Sequence, residues 1–249
     1  MKKSTEWRIG CSGFHYKEWK NIFYPPLLLQ KHWFTYYAKH FNTLELNVTF
    51  YQFPRLASLQ KWFTDSPEDF TFSLKVPRLI THYKKFTGAE QLLEDFYGVA
   101  AEGLGKKLGA VLFQLPPQYQ YSEHRLQQVI NSVKKGFTNV IEFRHGSWWQ
   151  QHVYDELAKN KISFCGSSHP SLPDDIVINT GIVYYRFHGV PNLFRSLYEN
   201  VYIQEKADAI KAAKKITTAY IYFNNTAGPA ALENARWLQG YLQMERRLL

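Results

Sequence analysis

Cysteine is scarce in this sequence: among 249 residues only Cys11 and Cys165 occur, far apart and in no CxxC pair. That excludes a disulfide framework and a zinc-finger or redox motif, and leaves two reduced thiols inside apolar segments. Long hydrophobic runs are missing as well. No uncharged apolar stretch reaches the roughly 20 residues that a bilayer-spanning helix needs. The lysines of MKKSTEW precede no apolar segment of signal-peptide length, so a soluble, cytoplasmic protein without a membrane partner is expected. The turn after the first strand-like segment reads GCSGFHYKEW, with neither a GxGxxG nor a Walker lysine, which argues against a nucleotide-binding open sheet. No HExxH pair occurs, and no Gly-, Ser- or Pro-rich linker divides the chain, so one domain over residues 1–249 is expected.

Aromatic residues and positive charge are plentiful. Tyr, Phe and Trp make up 17% of the chain, and lysine and arginine leave a formal net charge of +9. Rings serve as core filler, sugar platforms or base-stacking surfaces, and a basic surface attracts anions. The lysine pairs at 84–85, 106–107, 134–135 and 214–215 fall on predicted helix ends or loops, as a solvated surface requires.

Hydrophobic periodicity divides the chain into alternating elements. Strand-like segments lie at 7–14, 43–51, 70–77, 109–116, 138–145, 162–168, 182–189 and 218–225. Helical spacing appears between them, for instance at Phe34, Tyr37, Ala38 and Phe41, at Leu126, Val129, Ile130 and Val133, and at Ala231, Ala235, Leu238 and Leu242. Eight alternations predict an α/β fold of parallel strands closing as a single (β/α)8 TIM-type barrel.

The strands carry polar residues where an interior strand should not. Glu45, Asn47 and Thr49 alternate with Leu44, Leu46 and Val48; Ser73 and Lys75 with Phe72, Leu74 and Val76; Glu142 and Arg144 with Ile141 and Phe143. Gln114 sits between Phe113 and Leu115, Arg186 and His188 flank Phe187, and Asn224 and Asn225 end the last strand. In a barrel this alternation sends apolar side chains toward the helices and polar ones into the lumen near the C-terminal rim. Buried ions without partners cost several kcal/mol each, so these groups must pair with one another or with a ligand. Five histidines, His15, His82, His145, His169 and His188, also fall at or just after strand ends.

Lys75, Arg144 and Arg186 point into the same small volume as the glutamates. Three fixed cations repel a divalent ion and suit a carboxylate or phosphate, so no cofactor is expected and a zinc or manganese site is the lesser alternative.

The segments LELNVTFYQFP, FSLKVPRLITH, VLFQLPPQ, IEFRHGSWW, YYRFHG and YIYFNN resemble those of the YecE-like family, also labelled domain of unknown function 72. The resemblance runs in order from about Ile9 to Trp237 and implies a TIM barrel distantly similar to sugar-isomerase and apurinic-endonuclease barrels, without an established reaction. Residues it carries onto this chain include Glu45, Asn47, Lys75, His82, Gln114, Glu142, Arg144, His145, Trp148, Arg186, His188, Tyr198, Asn224 and Asn225. Ser167, Ser168 and Thr226 stand where acidic residues are common in the family.

The expected function is therefore an enzyme acting on a small anionic or polyhydroxy, sugar-like substrate. Glu142 and Glu45 are candidate base and acid, and His188 is a candidate proton shuttle. Lys75, Arg144 and Arg186 form an anion clamp, with Asn47, Gln114, Asn224 and Asn225 orienting the ligand and Tyr16, Trp19, Trp148 and Trp149 walling the mouth. A nucleic-acid-binding or phosphodiester-cleaving protein is the first alternative and a non-catalytic metabolite binder the second. Nothing in the sequence sets an oligomeric state.

Overall fold

The structure is a computed structural model that describes residues 4–248. Eight parallel strands form one sheet: β1 (Glu6–Cys11), β2 (Thr43–Leu46), β3 (Thr71–Lys75), β4 (Leu108–Gln114), β5 (Asn139–Glu142), β6 (Ser163–Ser168), β7 (Ile182–Phe187) and β8 (Thr218–Phe223). From β2 to β8 each strand pairs with its sequence neighbour, and β1 pairs with β8. A single parallel bridge from Ser12 to Glu45 joins β1 to β2 and brings the sheet to the TIM-type barrel expected from the alternation. No helix among the described residues is long and apolar enough to cross a membrane.

The seam between β1 and β2 depends on Gly10. A Cβ there would lie 2.2 Å from the Thr43 carbonyl oxygen and 2.8 Å from the Tyr37 hydroxyl. Instead the hydroxyl occupies the gap, accepting from the Cys11 amide at 2.7 Å and donating to the Thr43 carbonyl at 3.1 Å. It bridges two strands whose backbones have begun to diverge.

The helices are α1 (Trp33–Tyr37), α2 (Val48–Tyr51), α3 (Leu56–Asp65), α4 (Glu90–Leu104), α5 (Glu123–Ser132), α6 (Gln151–Lys159), α7 (Asn200–Ala212) and α8 (Ala230–Leu248). Between them and the sheet lies the main core, built from the apolar parity of the strands: Leu44 and Leu46, Phe72 and Leu74, Val111 and Phe113, Ile141 and Phe143. The opposite parity lines the lumen. Its lower half is filled by Ala110, Leu112, Val140, Cys165, Tyr184, Tyr220 and Tyr222.

Two expectations are corrected here. The second strand, read as 43–51, ends at Leu46; Asn47 turns into the helical region (φ −80°, ψ −16°) and Val48–Tyr51 is a single helical turn. Alternation therefore stops at Glu45. Thr49, whose apparent parity matched Glu45, instead donates to the carbonyls of Leu46 (2.8 Å) and Lys75 (2.6 Å), tying off two strand ends. The strict strand–helix alternation also fails between β6 and β7, where no helix forms. The connecting segment instead runs back along the outer face of β6. Asn179 accepts from the Phe164 amide and donates to the Ile162 carbonyl, and a Cβ on Gly166 would come within 2.6 Å of the Asp175 carbonyl oxygen. Ile176, Val177 and Ile178 supply the apolar cover that a helix provides elsewhere.

Candidate functional site

The upper lumen is organised around one guanidinium. Arg186, on the inward parity of β7 and completely buried, donates through Nη2 to Glu45 Oε1 and through Nη1 to Glu142 Oε2, each at 2.6 Å. Glu45 comes from β2 and Glu142 from β5, so the arginine spans the cylinder. Glu45 Oε2 accepts a further bond from Tyr184 Oη at 2.6 Å, which occupies both of its oxygens. Burial lowers the tendency of Arg186 to carry charge, but Glu142 and Glu45 outweigh it and hold the guanidinium firmly protonated.

Glu142 is the point of convergence at the rim. Its Oε1 lies 2.8 Å from Arg144 Nη2 and 2.8 Å from His188 Nε2. Burial alone would raise the pKa of this carboxyl; Arg144, Arg186 and His188 reverse that and hold it well below the usual value of 4.5. Glu142 is thus an ionised carboxylate inside a barrel.

His188 is set in the opposite sense. Burial, followed by the positive fields of Arg144 and Arg186, keeps its imidazole neutral, with a pKa well below 6.5. The Asn224 amide nitrogen stands 2.9 Å from Nδ1. Nε2 lies 2.8 Å from Glu142 Oε1 and also 3.0 Å from Arg144 Nη2. Because the Asn224 amide nitrogen donates, Nδ1 accepts and the proton of the neutral ring sits on Nε2, where it is donated to Glu142 Oε1 rather than accepting from Arg144. Asn224, His188 and Glu142 thus form one directed hydrogen-bonded chain ending on the carboxylate.

Lys75, at the end of β3 and 7% exposed, donates to Gln114 Oε1 at 2.6 Å and lies 3.9 Å from the centre of the Phe50 ring. Burial and then the Arg186 charge lower its pKa from 10.5 to about 7. His82, half-buried with Nδ1 2.9 Å from Thr81 Oγ1, is likewise lowered to about 4 by burial and by Lys75 and Arg144. Several buried polar atoms have no hydrogen-bond partner: Arg144 Nε, Arg186 Nε, Ser167 Oγ and Asn47 Oδ1. Such atoms are costly inside a protein unless water or a ligand reaches them.

The expected residues therefore divide. Glu45, Lys75, Gln114, Glu142, Arg144, Arg186, His188 and Asn224 form one connected network in the upper lumen. Others serve the frame. Trp148 is completely buried, stacked 3.8 Å from Phe143 and donating to the Tyr119 carbonyl at 2.6 Å, so it packs beneath the rim rather than walling the mouth. Trp19 is equally buried, donating to the Gly228 carbonyl. The Tyr198 hydroxyl accepts from the Gly189 amide, Asn225 donates to the Ser196 carbonyl and to Asn234, and His145 caps the short turn at Gly146–Trp148 through the Ser147 amide. Asn47 is half-buried at the β2 end and makes no bond to the network.

Tyr184 escaped the sequence reading. Tyr184 shares the parity of Arg186 and His188, and Ser167 stands beside Arg186 in register. Continuing the two-residue alternation downward from Arg186 reaches Tyr184, but a tyrosine among YYRF reads as core.

A concavity of about 470 Å³ beside Gly136–Asn139 and Lys159–Lys161 opens at the opposite, N-terminal end of the strands, away from the polar network. Among the described residues no three His, Cys, Asp or Glu side chains stand together as metal ligands. Both lumen carboxylates are instead engaged by arginines.

Comparison with known proteins agrees with this architecture. The family described as "Protein of unknown function DUF72" matches residues 8–249. UPF0759 protein YunF of Bacillus subtilis is 25% identical over 89% of this chain and 90% of its own length. UPF0759 protein YecE of Escherichia coli is 29% identical over 44% of this chain and 40% of its own. The crystal structure of a DUF72 family protein from Thermotoga maritima superposes with a TM-score of 0.85 at 26% identity, covering 96% of this chain and 99% of that one. A DUF72 family protein from Enterococcus faecalis, at 21% identity and a TM-score of 0.81, shares the fold. The chain belongs to the DUF72 family of YecE-like TIM barrels.

Proposed function

We propose that this protein is an enzyme acting on a small anionic or polyhydroxy substrate at the C-terminal rim, by general acid–base chemistry. The observation that carries the reading is the convergence on Glu142: an ionised, fully buried carboxylate held by Arg144, Arg186 and a neutral His188. A structural ion pair needs one partner. Here two arginines and an imidazole hold one carboxylate, which ends the hydrogen-bonded chain from Asn224 through His188.

In this reading Glu142 is the base and His188 carries the proton onward. Arg144, which keeps an unpartnered Nε, grips a carboxylate or phosphate together with Lys75. Gln114 and Asn224 orient hydroxyl groups. Glu45, expected to act as the acid, binds Arg186 and Tyr184, and in this reading it positions Arg186.

Calorimetric titration of inorganic phosphate into the protein and into Arg144→Gln tests the clamp. Saturable binding weakened about tenfold or more by the substitution is expected, since truncating one member of a desolvated charge pair costs on the order of 2–5 kcal/mol. Equal affinities would defeat the clamp. Turnover on a panel of sugar phosphates and hydroxy acids tests the chemistry: Glu142→Gln should bind but not turn over, whereas a metabolite binder has no reaction to lose.

A second reading, nucleic-acid binding, draws on one feature of the mouth. Tyr51 and Tyr83 are each 65% exposed, with Arg78 lying 5.5 and 5.6 Å from their ring centres. Exposed rings beside a cation suit base stacking. Titration of single-stranded DNA and RNA against salt decides it: binding that weakens steeply with salt favours this reading, and no binding at low salt ends it.

A further inference from the structure

We infer that Lys75 is a covalent residue, an amine that captures the carbonyl carbon of an aldehyde or ketone carrying a carboxylate or phosphate, as an imine. The inference rests on the proposed anion site and names its substrate class.

Lys75 differs from the other two lumen cations in its surroundings. Arg186 and Arg144 each hold a carboxylate at 2.6–2.8 Å, and together they take up both lumen glutamates. Among the described residues Lys75 makes no ion pair; its bonded partner is the neutral amide of Gln114, and its other close neighbour is the face of Phe50. An amide oxygen and a ring face stabilise an ammonium less than a carboxylate does. An ammonium meant only for charge balance would be paired. Position agrees: Lys75 ends β3 on the inward parity, at the strand end where barrel chemistry gathers, while Arg144 Nε nearby has no partner. With burial bringing the amine to about 7, a large share of Lys75 carries a free lone pair at neutral pH.

The step balances within the site. The neutral Nζ forms a bond to the carbonyl carbon, the π pair of the C=O bond moves onto oxygen, and one proton passes from the nitrogen to that oxygen, giving a neutral carbinolamine. A second proton then allows that oxygen to leave as water while the nitrogen lone pair closes the C=N bond. The product is a protonated imine and one water, with no oxidant or reductant consumed. The anionic group of the substrate stays on Arg144. Removal of a proton from the carbon next to the imine would fall to His188 and Glu142, the acid–base work already proposed for them.

The test uses glyoxylate, a small aldehyde bearing a carboxylate, with cyanoborohydride at pH 7 to reduce any imine to a stable secondary amine. Peptide mapping by mass spectrometry then follows every lysine over time. Lys75 should be modified about tenfold or more faster than any surface lysine, because ordinary lysines near 10.4 are almost wholly protonated at this pH. Inorganic phosphate should slow that labelling, and Lys75→Arg should abolish it while leaving surface labelling unchanged.

Calorimetric phosphate binding on the same protein separates the failures. Phosphate binding that depends on Arg144, with Lys75 labelled no faster than the surface, overturns the imine and leaves the anion site standing. Rapid labelling of Lys75 that phosphate does not slow supports carbonyl capture and removes the clamp. Absence of both effects overturns the two together.

Discussion

Arg186 and Glu45 meet at 2.6 Å with neither side chain exposed to solvent. The other terminal nitrogen of Arg186 binds Glu142 at the same distance. One guanidinium therefore compensates two buried carboxylates, and removing it strands both. Arg186→Met should destabilise the fold by roughly 3–5 kcal/mol, the usual cost of breaking a buried pair from one side. Urea denaturation followed by tryptophan fluorescence measures this; a loss below about 1 kcal/mol would mean that water or a side-chain rearrangement replaces the arginine.

Acid should weaken the protein in two stages. His188, His82 and His169 all have folded pKa values depressed from 6.5, so below 6.5 the unfolded chain binds protons that the folded one refuses and stability falls. Glu142 is depressed below 4.5; its stabilising contribution is fully present above 4.5 and is lost as the pH falls from there toward its folded value. Unfolding free energy plotted against pH should therefore steepen below 4.5, and Glu142→Gln should flatten that lower limb while lowering the His188 pKa further, because its carboxylate neighbour is gone. An unchanged lower limb in the variant would show that other carboxylates govern acid unfolding.

Lys75 should behave as a destabilising residue. Its pKa falls from 10.5 to about 7 on folding, so between those values the unfolded chain holds a proton that the folded chain has released. Native stability consequently rises from pH 7 to 10.5 through this group. Lys75→Met removes the cost: it should gain a few kcal/mol at or below pH 7, with the gain fading toward 10.5. A variant less stable than the native protein at pH 7 would show that the Gln114 and Phe50 contacts outweigh desolvation.

Much of the lumen was legible because a strand has a period of two, and that period exposed Lys75, Glu142, Arg144, Arg186 and His188 as one inward-facing set. The same rule misled at Asn47 and Thr49. Nothing in the alternation of LELNVTFY marks where a strand gives way to a helical turn, and Thr49 mimics lumen parity while bonding two carbonyls at the strand ends. Tyr184 stayed hidden for a different reason. Its ring fills the core and only its hydroxyl joins the network, so residue type alone points to packing. The β6–β7 connection could not be read because its apolar residues cover the sheet without helical spacing.

Trp148 offers a contrast between packing and chemistry. Its ring lies against Phe143 at 3.8 Å and Tyr119 at 5.8 Å, wholly out of solvent. Trp148→Ala should cost about 3–5 kcal/mol, as large-to-small changes of buried aromatics do. If the ring only supports the rim, phosphate affinity below the melting range should change by less than about threefold, or roughly 0.6 kcal/mol. A larger loss of affinity with little loss of stability would return Trp148 to the binding surface.

Gly10 tests how the barrel closes. Every other strand junction is a ladder of two to six residue pairs, whereas β1 and β2 share one bridge, Ser12 to Glu45, and the Tyr37 hydroxyl spans the rest. A methyl group at Gly10 would meet the Thr43 carbonyl oxygen at 2.2 Å, and backbone cannot yield as a side chain can. The strands must separate or the tyrosine must leave its two bonds. Gly10→Ala should therefore destabilise by about 1–3 kcal/mol, the range for overpacking. Because Glu45 is the residue held by that bridge, the effect should also reach the site. Parting the seam displaces Glu45 from Arg186, and phosphate binding should weaken in parallel with the loss of stability. Tyr37→Phe separates the two causes: it removes the bridging hydroxyl without adding bulk. A Gly10→Ala protein as stable as the native one would mean that β1 and β2 are joined more loosely than their single bridge implies.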